Sequence, residues 1–406
     1  MIDSDRKSTP SEPGTPAPGG CIPLTEPAMR GNEWTYVREC LDTNWVSSAG
    51  PFVQRLERDV ARWVRANHAV ATVSGTAALH IALLVAGVEP DDEVLIPALT
   101  FIAPANAVRY VGAHPVFMDA DPEYWQMDLN KVRDFIAKEC LWKNGMLRNR
   151  TSKRRVKAIL PVHVLGHPVE MGSLLDIAAK YELPVIEDAT EALGSEYRDR
   201  PVGVLGDIGC VSFNGNKIIT TGGGGMIVTN NSEWASRSRY LTTQAKDDPV
   251  EYIHNEVGYN YRLSNVLAAI GVAQVEQLPG YLESKRKTAQ LYSRILAGTP
   301  GIRLPEEAEW AKTNYWQYAI LVDPGGYGMG SRELMNCLSR ADVQSRPLWH
   351  PIHSLPPYRD CQAFEVKTVD RLYERSLCLP SSVGISERQI RVVADLIRKE
   401  ATRETA

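Results

Sequence analysis

The sequence predicts an α/β protein, with a mostly parallel sheet in a large domain followed by a smaller α+β C-terminal domain. Three observations predict it. Short apolar runs at Glu93 to Pro97, Pro115 to Asp119, Ala158 to Val162 and Val185 to Asp188 alternate with helical segments such as Ser173 to Tyr181, the pattern of a sheet covered on both faces with right-handed crossovers. These runs lack the in-out alternation of a half-exposed sheet, as strands buried on both sides do. The chain's 406 residues exceed a usual single domain and suffice to bury a large core.

Taken in order, residues 1–20 combine Pro10, Pro13, Pro16 and Pro18 with glycine, serine and threonine. So few apolar groups do not offset the entropy of ordering, and a disordered tail is expected. Trp34, Val37, Leu41 and Trp45 recur at three- and four-residue steps, and Phe52, Leu56, Val60 and Trp63 repeat the pattern, so two amphipathic helices are expected. They lead into a strand at Val70 to Val73 and a helix at Ala77 to Ala86. The large domain is expected over residues 21–262. Residues 263–406 hold a long helix from Leu263 to Leu296, broken or bent near Pro279-Gly280. A small domain follows, with a strand at Tyr318 to Val322 and helices at Ser331 to Arg340 and Glu387 to Lys399.

A net charge of −4, with both signs mixed through the chain, gives no reason to expect nucleic acid or a membrane surface as partner. The exception is Lys143, Arg148, Arg150, Lys153, Arg154 and Arg155, which reads as a solvated hairpin in preference to a diphosphate site. Seven scattered cysteines without metal-ligand spacing predict reduced thiols and no metal. With no signal-peptide core and no membrane-length apolar run, a cytoplasmic location is expected.

The chemistry concentrates at Val211 to Asn230. An apolar strand exposes Lys217, then Gly222 to Gly225 lead into a second strand. An ammonium between buried strands is costly unless paired, so Lys217 is either a solvated loop residue or a lysine held for use as a nucleophile. The glycines are not a P-loop, since no Lys-Ser or Lys-Thr and no helix follow them. They let the backbone pass close to something bulky. Asp188 ends a buried strand, where α/β sheets face their ligands. Ser74-Gly75-Thr76 joins a strand to a helix and offers an anion free N–H groups. Lysine, aspartate and anion cradle together are the parts needed to hold pyridoxal phosphate.

SGTAALH at Ser74, PALTFIAPANAV at Pro97, VIEDATEALGS at Val185, GDIGCVSFNGNK at Gly206, TTGGGGMIVTN at Thr220 and GYNYRLSNVLAAIGVAQ at Gly258 resemble, in order, the DegT/DnrJ/EryC1/StrS family of pyridoxal-phosphate-dependent nucleotide-sugar aminotransferases. The resemblance runs from Ile22 to the C-terminus and implies the fold-type-I transferase architecture. It implies that Lys217 forms the Schiff base and then acts as general base. Relatives with histidine there are dehydratases, so lysine favours transamination. Asp188 would partner the pyridine nitrogen. Glu191, where glutamine or histidine is commoner, would reach the phenolic oxygen or the Schiff base if the segment turns helical; the alternative is a solvated glutamate. Gly75, Thr76 and Ser212 would hold the phosphate, Phe101 would stack on the ring, and Asn260 would reach the phosphate in the neighbouring subunit, which requires a homodimer with shared sites.

Tyr261, Arg262, Arg346, Trp349 and His353 lie in segments that in the family approach the sugar nucleotide or the donor's carboxylate. Arg346 is alternatively a structural ion-pair partner. L-glutamate is the implied donor, converting the cofactor to its amine form before a nucleotide-linked 4-keto-6-deoxy sugar takes the amine. The opening PLTEPAMRGNEWTYVRECLDTNWVSSAG and the segment before PVHVLGHPVEM resemble the branch that aminates UDP-4-keto-6-deoxy-N-acetylglucosamine toward legionaminic acid. The rivals are a GDP-4-keto-6-deoxymannose enzyme of the perosamine type, an enzyme acting on a C3 ketone, and a non-catalytic cofactor-binding scaffold.

Overall fold

A computed structural model gives the fold and describes residues 20–401; the tail expected over residues 1–20 lies outside them except for Gly20. Two helices open the chain, α1 (Glu33–Asp42) and α2 (Pro51–Val64), and they face differently. α2 buries Phe52, Leu56 and Val60, as its apolar stripe requires. α1 instead turns Trp34, 88% exposed, and Leu41 outward, and buries Glu33 and Cys40. Trp45, counted into the same stripe, lies beyond the helix. The rotation of α1 has a polar cause: the Glu33 carboxylate accepts from Gln274 Nε2 at 2.6 Å and from the Gly31 amide at 2.8 Å, so it must point inward.

The alternation then proceeds through β1 (His68–Thr72), α3 (Gly75–Val85), β2 (Glu93–Pro97), α4 (Ala103–Tyr110), β3 (His114–Met118) and α5 (Leu129–Glu139). A hairpin of β4 (Cys140–Lys143) and β5 (Met146–Asn149) follows, as expected of the basic segment. Arg150, at its end, donates to the Cys140 carbonyl, and Arg155, just beyond it, pairs with Asp92 at 2.6 Å and Glu89 at 3.1 Å. Next come β6 (Arg155–Ile159), α6 (Met171–Lys180), β7 (Ile186–Asp188), the two-residue strands β8 (Glu196–Tyr197) and β9 (Arg200–Pro201), β10 (Ile208–Ser212), β11 (Gly225–Thr229) and α7 (Ser232–Thr242).

The strands order as β1-β11-β10-β7 and, through the parallel bridges Ile159↔Val185 and Val162↔Asp188, continue into β6-β2-β3. Only β11 opposes its neighbours within this run, so the sheet is mostly parallel. β2 sits centrally and is buried throughout. Its Val94 and Ile96 join the core with α3 and α4, while Leu95 joins the opposite core with α5 and α6. This two-sided burial explains why its residues do not alternate with polar ones.

The long helix α8 (Asn265–Leu296) runs 32 residues with Pro279 inside it, so of the break or bend expected near Pro279-Gly280 the break does not occur. A proline removes one backbone hydrogen bond, and packing against α1 and α2 at one end holds the helix continuous despite that loss. Beyond it lie β12 (Ile302–Arg303), β13 (Ala311–Lys312), β14 (Tyr318–Val322), α9 (Pro324–Tyr327), α10 (Ser331–Arg340), β15 (Ala363–Phe364), α11 (Thr368–Arg375), β16 (Ser376–Leu379) and α12 (Glu387–Ala401). The antiparallel sheet β12-β14-β16, the end of α8, α10 and α12 enclose a separate core. β15 crosses back to pair with β3, so the C-terminal part also finishes an edge of the first sheet. No helix among the described residues is long and apolar enough to cross a membrane.

Candidate active site

Four strands that run in one direction, β1, β2, β7 and β10, end at the same edge of the sheet, where α/β proteins bind ligands. The residues at or just past those ends are Ser74 to Thr76, Thr100 and Phe101, Asp188, Thr190 and Glu191, and Ser212. All of them line a single cavity of about 280 Å³ with Lys217, Trp316 and Trp349. Two larger surface grooves, near 810 and 840 Å³, contain neither Lys217 nor Asp188 and are lined by charged residues largely paired with one another.

Lys217 sits in the turn after β10 and points inward, its side chain 12% exposed. A solvated loop lysine is thereby ruled out. Its Nζ lies 3.7 Å from Glu191 Oε1, within ion-pair range and beyond a hydrogen bond. The Trp316 ring centroid is 4.1 Å from the same nitrogen.

The two carboxylates that end β7 point to opposite faces, as neighbours on a strand must. Glu187 turns away from the cavity, where the amides of Gly203, Leu205 and Gly206 donate to it and His163 Nε2 lies 3.0 Å away. It is structural. Asp188 turns into the cavity, 2% exposed, and accepts from the Thr190 amide at 3.0 Å. Burial raises its pKa, and the Thr190 hydrogen bonds and Lys217 only partly offset that rise. A cationic N–H entering the cavity beside it would supply the missing partner.

Glu191 reaches the site from a turn, not from the helix expected there. It is 4% exposed, which excludes a solvated glutamate, and its Oε2 accepts from the Leu165 amide at 2.8 Å. Burial pushes its carboxyl from 4.5 up to about 7, against the opposing pull of Lys217. Leu165 holds a positive φ of 58° to present that amide, a strained conformation for a branched residue.

Opposite the carboxylates is an anion cradle. Ser74 caps α3, its Oγ accepting from the Ala77 amide at 3.0 Å and its carbonyl from Ala78. The amides of Gly75 and Thr76 thus remain for an anion at the positive end of the helix. A side chain on Gly75 would come within 2.9 Å of Ser212 Cβ and 3.1 Å of Thr190 Cγ2, closing the cradle. The glycine run serves the same spot: a Cβ on Gly225 would sit 2.5 Å from the Ser74 carbonyl, so the bulky object it passes is the backbone that opens α3. Phe101 is 54% exposed at the rim, with a ring face left open and not buried as a core phenylalanine would be. A ligand with an aldehyde, a protonated ring nitrogen and a phosphate suits this donor set, which supplies an amine, a carboxylate and free amides.

Of the substrate residues expected from sequence, only Trp349 lines the cavity. Arg262 is committed elsewhere: Nη1 pairs with Glu57 at 2.5 Å and donates to the Ala71 carbonyl at 3.1 Å. The reason is that Glu57 is buried and needs cations, Arg262 and Arg239 together. Arg346 is exposed in another hollow and donates to the Ser345 carbonyl. His353 lies 3.7 Å from Asp370, and Tyr261 stacks on Tyr259 beside His80. Asn260 is exposed and outside the cavity of its own chain. The sequence reading passes over Thr100, Thr190, Asn216 and Trp316. Thr190 was detectable, since a residue two after an aspartate commonly donates to it; Trp316 lies about a hundred residues from the lysine and had no local signal.

Comparison with known proteins gives four further findings. The model of the DegT/DnrJ/EryC1/StrS aminotransferase family matches residues 27–398. GDP-perosamine synthase of Caulobacter vibrioides is 38% identical over 379 residues, covering 92% of this chain and 97% of its own. UDP-N-acetyl-3-dehydro-alpha-D-glucosamine 3-aminotransferase of Acidithiobacillus ferrooxidans is 33% identical over 347 residues, covering 85% and 87%. Among solved structures, DesI in the presence of its TDP-sugar product superposes with a TM-score of 0.83 at 30% identity, covering 94% of this chain and 92% of that one.

Proposed function

We propose a function on the premise that the chain belongs to the DegT/DnrJ/EryC1/StrS aminotransferase family and is therefore a pyridoxal-phosphate-dependent sugar aminotransferase: it moves the amino group of L-glutamate to C4 of a nucleotide-linked 4-keto-6-deoxy sugar. The observation that carries the chemistry is the meeting of the Lys217 amine, the buried Asp188 carboxylate and the start of α3 in one cavity. When bound, pyridoxal phosphate supplies an electron sink for the carbanion left by proton removal.

The chain's residues divide the remaining work. Lys217 would be the residue that anchors the cofactor, and its Nζ, once free, is placed to take and return the proton of the substrate carbon. Glu191 Oε1, 3.7 Å away, stabilises the ammonium formed at Nζ. Asp188 keeps the ring nitrogen protonated. Gly75, Thr76 and Ser212 would hold the phosphate, and Phe101 would cover the ring. The loss of the lysine or the aspartate that would mark a non-catalytic scaffold is absent, since Lys217 and Asp188 both face the cavity.

A homodimer belongs to this reading. Trp34 and Leu41 leave an apolar face on α1 for a second copy, and Asn260, idle in its own chain, is free to reach the partner's phosphate site.

For the sugar, the relative named for GDP-perosamine favours GDP-4-keto-6-deoxymannose. The opening segment and its likeness to the legionaminic-acid branch favour UDP-4-keto-6-deoxy-N-acetylglucosamine as a second reading. Relatives named for GDP, UDP and TDP sugars share this architecture, so the base is read by loops. The test is incubation with L-glutamate and a panel of GDP-, UDP- and dTDP-4-keto sugars, scored by mass spectrometry. Fastest amination of the GDP sugar is expected; preference for the UDP sugar establishes the second reading, and amination of neither overturns both.

A further inference from the structure

Trp316 is pinned more firmly than a space-filling side chain needs. Its indole Nε1 donates to the carbonyl of Asn216, the residue before the lysine, at 2.7 Å. Its amide donates to Asn314 Oδ1 at 2.8 Å, and its carbonyl accepts from the buried Lys285 amine at 2.7 Å. Asn314 in turn donates to the carbonyls of Glu191 and Leu193, so one side chain ties the Glu191 turn to the tryptophan. The preceding residue, Tyr315, holds a positive φ of 48°, strain that the surrounding bonds maintain. Trp349 lies nearly parallel to the ring, with centroids 6.2 Å apart and planes 10° apart.

All of this fixes one ring face against Lys217 Nζ at 4.1 Å, while Glu191 Oε1 faces the same nitrogen at 3.7 Å. We propose that Trp316 is a positioning residue for Lys217: its π face and the Glu191 carboxylate together form a seat that holds the amine, when it is free and charged, at the place from which it returns the proton. The inference rests on Lys217 being the cofactor-binding lysine. It does not depend on which sugar is used.

The test compares Trp316→Leu, which removes the ring, with Trp316→Phe, which keeps a ring face and loses the indole N–H. On the cofactor-loaded enzyme, the half-reaction with L-glutamate alone is followed by loss of visible absorbance, the resting enzyme's cofactor by visible circular dichroism, and full turnover by kcat and KM. Trp316→Leu is expected to slow the half-reaction on the order of ten-fold, to weaken the visible dichroism, and to change the sugar KM by less than about three-fold. Trp316→Phe is expected to recover most of both losses. A raised KM with an unchanged half-reaction would make Trp316 a substrate wall and overturn the inference, as would a phenylalanine variant as impaired as the leucine one. Lys217→Ala, run alongside, should lack the visible band; a retained band overturns the lysine assignment and this inference with it. If the wild type does not react with glutamate, the donor reading fails, and the dichroism of the two tryptophan variants still decides the role of the ring.

Discussion

Around Lys217, side chains from the ends of β1, β2, β7 and β10 meet in one cavity, whereas Tyr261, Arg262, Arg346 and His353 are each engaged elsewhere in the same chain. The first region is laid down by the sheet: a strand end fixes the backbone, the backbone fixes the side chain, and burial raises the energetic cost of rearrangement. The second region lies on separate segments beyond the strand ends, each held by its own contacts within the chain. The difference teaches that residues carried on the ends of strands in one sheet are brought together by the fold, whereas residues on separate loops take whatever partners lie nearest to them.

Mutations break or sharpen that contrast. The largest effect is expected at Lys217→Ala, a loss on the order of 10⁴-fold in kcat because both the covalent anchor and the base are removed; residual turnover within ten-fold of wild type would dissolve the distinction between the two regions. Next is Glu191. Its carboxyl titrates near 7 in the folded chain and near 4.5 unfolded, so between those values the folded chain keeps a proton that the unfolded chain has lost. The stability it contributes is full below about pH 4.5 and falls as pH rises through 7, by up to about 3 kcal/mol. Melting temperatures of the cofactor-free chain from pH 5 to 8 should therefore fall more steeply in wild type than in Glu191→Gln, and equal slopes would count against the burial argument.

Asp188→Asn is expected to lower kcat by about 10²-fold, the size of a charge-assisted hydrogen bond, with little change in melting temperature; a change in KM alone would move it out of the chemistry. Arg262→Ala sharpens the other side of the contrast. Glu57 keeps Arg239 but loses its shorter partner, at about 2 kcal/mol of stability, while the sugar KM stays within about three-fold. A large rise in KM with unchanged stability would return Arg262 to the substrate.

Legibility in the sequence divides along the same line. The strands and Lys217, Asp188, Gly75 and Ser212 were readable because each sits in a contiguous motif whose local geometry follows from the strand, turn or helix start it forms. Orientation set by distant partners was not. α1 has the periodicity of an amphipathic helix, yet the bond from Gln274 to Glu33 turns its apolar side outward. Arg262 looks like a free guanidinium until it meets Glu57, 205 residues away. Pro279 reads as a break, and tertiary packing overrules it. Trp316 carries no local mark of its place beside the lysine.

The central claim concerns which amine holds the cofactor, and this chain offers a second buried candidate. Lys285 is wholly enclosed, bonded only to the Trp316 carbonyl and to Ser381, and burial lowers its pKa to about 7. Low pKa alone would suit a nucleophilic amine, whereas the cavity favours Lys217. Borohydride reduction of the cofactor-loaded enzyme, followed by peptide mapping, decides between them. A pyridoxyl group on the peptide that contains Lys217 is the expected result; the same mass on Lys285, or on any other lysine, would contradict the account.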